Sequence, residues 1–223
     1  MQRFPLNRKM WQSVVLVLGL ISAAVVKMNW PGQSGQAVPP VSKPDRREPA
    51  RPGSSSRADA GGWQHLEGCT LVEHRNNDGD SFLLRHSDGE TLFRLYFVDC
   101  PEKYRSSLNA ERVAEQARDF GLSEAGTVAT GEEARDFTLA LLRKGPVSVD
   151  TRWQPVFKSE RRFAFVTVGG KDLAEALVSR GLARIYTEGV SRPGGLSRRD
   201  EEARLRQLEH EAKTKHLGAW GRK

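Results

Sequence analysis

Four acidic residues lie in two short segments of this 223-residue chain and together offer ligands for a metal ion. Asp78 and Asp80 belong to a predicted tight turn, and an Asp-Gly pair alone is typical of a turn with no further function. Asp99 and Glu102 follow the third predicted strand. In an antiparallel meander the turn after the first strand and the end of the third lie at the same edge, so Asp80 and Asp99 come within reach of one ion. Carboxylates without nearby His or Cys clusters favour a hard cation such as Ca²⁺ or Mg²⁺.

Three arginines lie in or beside predicted strands. Arg94 is inside an apolar strand, where an unpaired guanidinium is costly to bury, so it needs an anionic partner or a position facing a cleft. A structural ion pair with Asp80 or Asp99 and an anion-binding role both satisfy this requirement. Arg161 and Arg162 lie at the start of the last predicted strand, just before Phe163, where solvated side chains are the simpler interpretation.

The elements that must position these residues follow the order of three strands, two helices, two strands and two helices. Strands are predicted over Cys69–His74, Ser81–Arg85, Thr91–Val98, Val147–Trp153 and Arg162–Val168. Helices are predicted over Asn109–Phe120, from a Thr130/Glu133 capping box to Gly145, from Asp172 to Gly181, and from Ser197 onward. Five short strands with helices between them suit a small Greek-key barrel of the OB type, and a mixed α+β sheet fits the same order.

The net charge of +7 does not itself indicate a nucleic-acid partner. Residues 1–62 carry nine basic and three acidic side chains, whereas residues 63–223 carry 26 basic and 25 acidic ones. The positive excess therefore belongs to the N-terminal arm, and the globular part is nearly neutral. Any nucleic-acid function must depend on where particular arginines lie.

The N-terminal arm predicts export of the domain that follows it. Residues 10–26 form an uncharged run of 17 residues preceded by Arg3, Arg8 and Lys9, which favours a membrane anchor over residues 1–30 with its N-terminus in the cytoplasm. A signal peptide cleaved near Ala24 is the alternative. Residues 31–62 are rich in Pro, Gly and Ser and predict a disordered linker, which leaves 63–223 as the folded domain.

Cys69 and Cys100 are the only two cysteines of the chain. An even number in an exported domain permits a disulfide. Antiparallel pairing sets the two positions far apart, which favours two separate small apolar residues.

Several separated segments resemble, in order, the signature segments of the staphylococcal nuclease family. These are Asp78–Ser81, Phe93–Leu95 with Val98–Glu102, Arg161 with Ala164–Val166, and Ala174–Ala183. The resemblance covers residues 68–221. It implies an OB-fold barrel with helices and Ca²⁺-dependent hydrolysis of phosphodiester bonds in DNA and RNA.

The resemblance also implies a role for individual residues. Asp80 and Asp99 match the calcium carboxylates, Cys100 supplies a backbone carbonyl to the ion, Glu102 matches the general base, Arg94 and Arg161 match the phosphate-binding arginines, and Lys158 matches a lysine near the nucleotide. The chain departs from the family in three places. Arg162 is a rival for the position of Arg161, Tyr186 is one residue early for a stacking tyrosine, and residues 103–129 form a longer segment with an extra helix.

Taken together, the sequence predicts an α+β, mainly β, protein: a five-stranded OB-fold Greek-key barrel with three to four helices, behind a transmembrane helix and a disordered linker. The predicted function is that of a monomeric, membrane-tethered endonuclease outside the cytoplasm, which needs Ca²⁺, cleaves DNA and RNA and leaves 3′-phosphate ends. Cleavage of the N-terminal segment would make it a secreted protein. The alternative is a non-catalytic OB-fold module that binds nucleic acid or protein.

Overall fold

The computed structural model describes residues 57–58 and 61–222. The strands are β1 (Arg57–Ala58), β2 (Gln64–Leu71), β3 (Ser81–His86), β4 (Gly89–Leu95), β5 (Val98–Asp99), β6 (Val147–Pro155), β7 (Arg162–Val168), β8 (Lys171–Asp172) and β9 (Arg184–Ile185). The helices are α1 (Ala110–Phe120), α2 (Glu124–Lys144), α3 (Leu173–Val178), α4 (Arg198–Thr214) and a 3₁₀ turn, Gly218–Gly221.

Five strands close into a barrel in the order β2-β3-β4-β7-β6, because β6 also pairs with β2. All the pairings around the barrel are antiparallel except β4 with β7, which is parallel. The predicted five-stranded barrel with several helices is thereby confirmed, and closure excludes the open mixed sheet. β5 and β9 form a separate two-stranded ladder beside the barrel.

Strand β7 has the most continuous run of apolar residues. Phe163, Ala164, Phe165 and Val166 are all buried, because both faces of this strand are covered. The Tyr96 ring stacks on Phe163 with 5.0 Å between ring centroids. The strand that carries the candidate arginines at its start is therefore held rigidly in the core.

The third predicted strand, Thr91–Val98, is interrupted where the chain leaves the barrel. Phe97 has φ of 66°, a left-handed conformation that does not continue a strand. Its backbone N–H donates to Glu188 O (2.7 Å), and its carbonyl accepts from Tyr186 N (2.8 Å). The chain thus exchanges a barrel partner for the β9 segment, and β5 begins at the next residue.

The largest further differences from the predicted boundaries are at the first strand and at helix α2. The first meander strand runs over Gln64–Leu71 rather than Cys69–His74. Helix α2 begins at Glu124, where the Ser123 hydroxyl accepts from Gly126 N, and not at Thr130. Thr130 lies inside that helix and donates its hydroxyl to Gly126 O (2.9 Å). The hydroxyl therefore bonds to the preceding turn of the helix instead of capping a helix N-terminus.

The N-caps predicted at Asp172 and Ser197 are confirmed, because each side chain accepts a hydrogen bond from the backbone N–H three residues later. Cys69 and Cys100 are both buried and free. No helix within residues 57–58 and 61–222 is long and apolar enough to cross a membrane. The predicted anchor over 1–30 and nearly all of the predicted linker over 31–62 lie outside the described residues.

The C-terminal end of the chain packs against helix α1. The Trp220 ring lies 4.9 Å from the ring of Phe120, the last residue of α1. Ala219 N donates to Gly181 O (2.9 Å), and Arg222 forms an ion pair with Glu133 on α2. This segment therefore joins α1, α2 and the loop after α3.

Candidate active site

The turn that carries Asp80 is fixed from inside by its neighbours. Asn77 is buried and bridges the two strands of the hairpin: its Nδ2 donates to Val72 O (2.9 Å) and its Oδ1 accepts from Leu83 N (2.9 Å). Thr138 of α2 donates its hydroxyl to Gly79 O (2.7 Å). A Cβ at Gly79 would lie 2.7 Å from Cys100 Sγ, so only glycine permits this close approach. The Asp-Gly pair is thus more than a turn signal here.

The loop that carries Asp99 and Glu102 lies between two helices and the β5–β9 ladder. Asp99 is paired with Arg184 in the register of this ladder. On the other side α2 approaches so closely that a Cβ at Gly131 would lie 2.4 Å from Glu102 O. The positions of both acidic residues are therefore determined by backbone packing.

Arg94 connects the two acidic segments. In the barrel register it lies opposite Ser81 of β3 on one side and Phe163 of β7 on the other. Its Nη1 contacts Asp80 Oδ1 (2.9 Å) and its Nη2 contacts Asp99 Oδ1 (2.7 Å), although the side chain is only 9% exposed. The structure confirms that Asp80 and Asp99 converge, and that Arg94 forms the ion pair that its burial requires.

Asp99 is fully buried and accepts hydrogen bonds from four side chains. Oδ1 accepts from Arg94 Nη2 (2.7 Å) and Arg112 Nη2 (2.5 Å), and Oδ2 accepts from Arg184 Nε (2.9 Å) and Gln116 Nε2 (3.0 Å). All the hydrogen-bonding capacity of this carboxylate is thus used by protein groups.

The pKa values of the acidic residues shift in different directions. Burial acts to raise the pKa of Asp99, but the charges of Arg94 and Arg112 outweigh it and hold this pKa below its usual value. At Asp80 burial outweighs the charge of Arg94, and the pKa is raised. Burial and the negative charge of Asp80 raise the pKa of Asp78 to about 7. Asp99 is therefore the most firmly ionised of the three.

Three polar residues of the α1 region hold the acidic loop and were missed by the sequence analysis. They are Asn109, Arg112 and Gln116, spaced three and four residues apart and thus on one side of the helix. Gln116 is completely buried: its Nε2 donates to Asp99 Oδ2 and Cys100 O (both 3.0 Å), and its Oε1 accepts from Glu102 N (2.9 Å). The signal was a polar stripe within an amphipathic helix, which predicts the helix but not its partner.

Glu102 lies at the edge of the cleft, with its side chain 21% exposed. Arg112 Nε donates to Glu102 Oε1 (2.6 Å), and Asn109 Nδ2 donates to Glu102 Oε2 (3.4 Å). The predicted general base is accessible to a reacting water, and α1 contacts both of its oxygens.

Arg161 and not Arg162 faces the acidic cluster. Arg161 Nη1 donates to Ser81 Oγ (3.3 Å), and the Ser81 hydroxyl donates to Asp80 Oδ1 (3.2 Å). Burial and the nearby charge of Arg94 lower the pKa of Arg161. Arg162 instead donates to backbone carbonyls at residues 159–161. Lys158 is exposed in the same turn and does not line the cleft. Its role near a bound nucleotide therefore stays a prediction.

The acidic segments, Arg94, Arg112 and Arg161 open into one cleft with a volume of about 830 Å³. Asp78, Asp80, Arg94, Asp99, Cys100, Glu102, Arg112 and Arg161 all line it. Two exposed aromatic side chains also border it: Phe157 is 86% exposed, and Tyr186 carries the Arg184 guanidinium over its ring at 3.9 Å. The cleft therefore combines charged groups at its base with aromatic faces at its rim.

The predicted ligands for Ca²⁺ fit that ion in chemical type, since two carboxylates and a carbonyl are hard oxygen donors. Cys100 O accepts one hydrogen bond from Gln116 and retains a second lone pair. Within the described residues, no group of three or more His, Cys, Asp or Glu side chains is arranged around a common metal position. The carboxylates are instead neutralised by guanidinium groups, which carry the positive charge at the base of the cleft.

A closed five-stranded barrel with several helices is the architecture of an OB-fold domain. A family model described as staphylococcal nuclease homologue matches residues 92–222, more than half of the chain. The protein belongs to the staphylococcal nuclease family, as the resemblance of its segments predicts. The match includes Arg94, Asp99, Glu102 and Arg161. Asp80 precedes the matched residues in the sequence, and the fold brings it next to Arg94.

Proposed function

We propose that the protein is an endonuclease that hydrolyses phosphodiester bonds of DNA and RNA. One observation carries this proposal: the fold brings two acidic residues, a partly exposed Glu102, Arg94 of β4 and Arg161, which directly precedes β7, to a single cleft. A module that only bound nucleic acid would need the arginines but no buried carboxylates beside them.

Each group has a role in the attack of water on phosphorus. Glu102 accepts the proton of the attacking water. Arg94 and Arg161 donate hydrogen bonds to the phosphoryl oxygens, where negative charge increases in the transition state. The bond between phosphorus and the 5′-oxygen breaks, the 5′-oxygen takes up a proton from the solvent, and the products carry 3′-phosphate and 5′-hydroxyl ends. Asp80, Asp99 and the Cys100 carbonyl would hold Ca²⁺, which when bound polarises a phosphoryl oxygen.

The rim of the cleft suits an unpaired stretch of nucleic acid. Every base has a face that stacks on an aromatic ring, so the exposed Phe157 and Tyr186 offer contacts that do not depend on sequence. Lys158, next to Phe157, adds a positive charge for the nucleotide phosphate. Because the folded part carries almost no net charge, these local contacts must supply most of the substrate affinity.

We further propose that the enzyme acts outside the cytoplasm as a monomer on a single-pass membrane tether. The support is the uncharged run over residues 10–26 with basic residues before it. Fractionation of cells and protease treatment of intact ones test this proposal. Protease-accessible protein in the membrane fraction is expected, whereas soluble protein of full length inside the cell would overturn it.

The decisive experiment is digestion of plasmid DNA and of RNA by the full-length chain with Ca²⁺, Mg²⁺ or EGTA. We expect cleavage with Ca²⁺, because hard oxygen donors form the site, and loss of cleavage in EGTA. Undiminished cleavage in EGTA would refute the metal assignment. Binding of nucleic acid without cleavage in any of the three conditions would favour the non-catalytic module.

A further inference from the structure

We propose that Arg112 sets the metal affinity of this site, because its guanidinium competes with Ca²⁺ for Asp99 and Glu102. The inference rests on the proposed function and concerns the inserted segment over residues 103–129. Helix α1 in this segment carries Arg112 on the side that faces the acidic loop.

Arg112 bridges two carboxylates that the proposed cleavage reaction needs. Its Nη2 contacts Asp99 Oδ1 (2.5 Å), and its Nε contacts Glu102 Oε1 (2.6 Å). One guanidinium therefore neutralises a predicted metal ligand and the predicted base at the same time. A divalent ion held by Asp99 would have to use the same carboxylate, and the proton of an attacking water would go to the carboxylate of Glu102.

The carboxylate of Asp99 cannot accept a further ligand while all four of its hydrogen-bond donors remain in place. An ion that binds this carboxylate must displace one of Arg94, Arg112, Arg184 and Gln116. Like charges that compete for the same anion make the two states mutually exclusive, so occupancy by Arg112 lowers the apparent affinity for the ion.

The four donors differ in how far they are exposed to water, and this decides which one can be displaced. Gln116 is completely buried, and the side chains of Arg94 and Arg184 are only 9% and 5% exposed. Displacing any of these three would cost a buried group its hydrogen bond to Asp99 with no access to water in exchange. The side chain of Arg112 is 38% exposed and lines the open cleft, so its guanidinium moves into water at the lowest cost.

The displacement has two effects in one movement. It frees one of the two hydrogen-bonding positions on Oδ1 of Asp99, the other being held by Arg94, and it releases Oε1 of Glu102 from an ion pair. The freed guanidinium remains tethered to α1 beside the cleft. Metal binding and activation of the base are therefore coupled through Arg112. Ca²⁺ binds only by displacing the Arg112 guanidinium.

The test measures Ca²⁺ affinity directly by isothermal titration calorimetry on the full-length protein. Arg112→Gln is expected to bind Ca²⁺ roughly 5- to 150-fold more tightly than the wild type, the usual range for coupling between two sites. Arg118→Gln is the matched control, because Arg118 lies exposed on the same helix and its removal changes the net charge equally. Its affinity should stay at the wild-type value.

A second variant keeps the proposal testable if Arg112→Gln does not fold, as judged by its melting curve. Arg112→Lys keeps the charge but cannot contact both carboxylates in the same way, so its Ca²⁺ affinity should lie between those of the wild type and Arg112→Gln. The Ca²⁺ concentration for half-maximal cleavage should fall in the same order, with the rate at saturating Ca²⁺ retained.

Two results would overturn the inference while the nuclease assignment stands. One is equal Ca²⁺ affinity in the wild type and both Arg112 variants. The other is loss of cleavage by Arg112→Gln at saturating Ca²⁺ with unchanged affinity, which would make Arg112 a substrate-contacting group. Absence of Ca²⁺ binding and of cleavage in every form would overturn the proposed function together with the inference.

Discussion

Arg94 is the residue on which the acidic cluster depends most directly. Its planar fork contacts Asp80 and Asp99 from a buried position between β3 and β7. A lysine offers one ammonium in place of two separated donors, so it cannot hold both carboxylates and still present a fork to phosphate.

We therefore expect Arg94→Lys to lose most of its cleavage activity and to unfold at a lower temperature. Initial rates on plasmid DNA and a melting curve measure the two effects. Arg85→Lys is the control, since Arg85 also donates Nε and Nη2 to one carboxylate, that of Glu90, but on the exposed side of the hairpin. Full activity in Arg94→Lys would reduce Arg94 to a structural ion pair.

Glu102 differs from the other carboxylates because its side chain reaches the open cleft. Glu102→Gln keeps its size but removes the group that accepts a proton, so the cleavage rate should fall by roughly two to four orders of magnitude. Substrate affinity, measured by fluorescence anisotropy with an oligonucleotide, should change little. Glu90→Gln, on the exposed hairpin, should match the wild type. A rate that drops by less than about tenfold would mean that Glu102 is not the base.

At the scale of elements, helix α1 fixes the conformation of the acidic loop. Gln116 is central to this contact, because it satisfies Cys100 O and Glu102 N inside the protein. Removing its amide would leave both backbone groups buried without a partner.

Gln116→Met, which keeps the shape of the side chain, should therefore lower the free energy of unfolding by about 1–3 kcal/mol for each unsatisfied group. Urea denaturation followed by tryptophan fluorescence measures the loss. The cleavage rate should fall as well, because Glu102 is no longer held in place. Gln207→Met on the exposed side of α4 is the control. Stability equal to that of the wild type would show that α1 does not support the loop.

The elements were predictable from sequence to different degrees. Arg162–Val168 was predicted at its exact bounds. The α1 region was found from apolar spacing, and α4 from its N-cap residue together with apolar spacing. Helix α2 was placed too late, because the Thr130 hydroxyl bonds within the helix instead of capping it. The role of the inserted helix stayed hidden, since a polar stripe does not state which loop it contacts.

The site shows a similar division at the scale of residues. Convergence of Asp80 and Asp99 followed from strand order alone, and Arg94 followed from the cost of burying a charge. The contact between Asp99 and Arg184 depends on the β5–β9 ladder, which exists because Phe97 turns the chain away from the barrel. No local pattern predicts that turn.

For the whole molecule, the C-terminal segment connects the inserted helix to the rest of the fold. Truncation after Lys215 removes Trp220 from Phe120 and Ala219 from its buried position, so we expect a loss of roughly 2 kcal/mol or more in stability. Urea denaturation measures it.

Truncation of residues 222–223 alone is the matched control. Of the contacts within the described residues, it removes the exposed Arg222–Glu133 ion pair, which is worth little, and the long hydrogen bond from Arg222 N to Ala219 O (3.4 Å). If the longer truncation changed stability by less than about 0.5 kcal/mol, the C-terminal segment would have no structural role.

Closure of the barrel also determines when the chain acquires its chemistry during folding. The pairings that close the barrel join positions that are distant in the sequence, such as Leu66 with Val149 and Leu95 with Ala164. Such non-local contacts give a high contact order and folding on a timescale of about milliseconds to seconds. Asp80, Arg94 and Arg161 precede or belong to three different strands, so an unfolded or partly folded chain carries the reactive groups apart from one another. Nuclease activity should therefore return in the slowest phase of refolding, together with the native barrel and not before it.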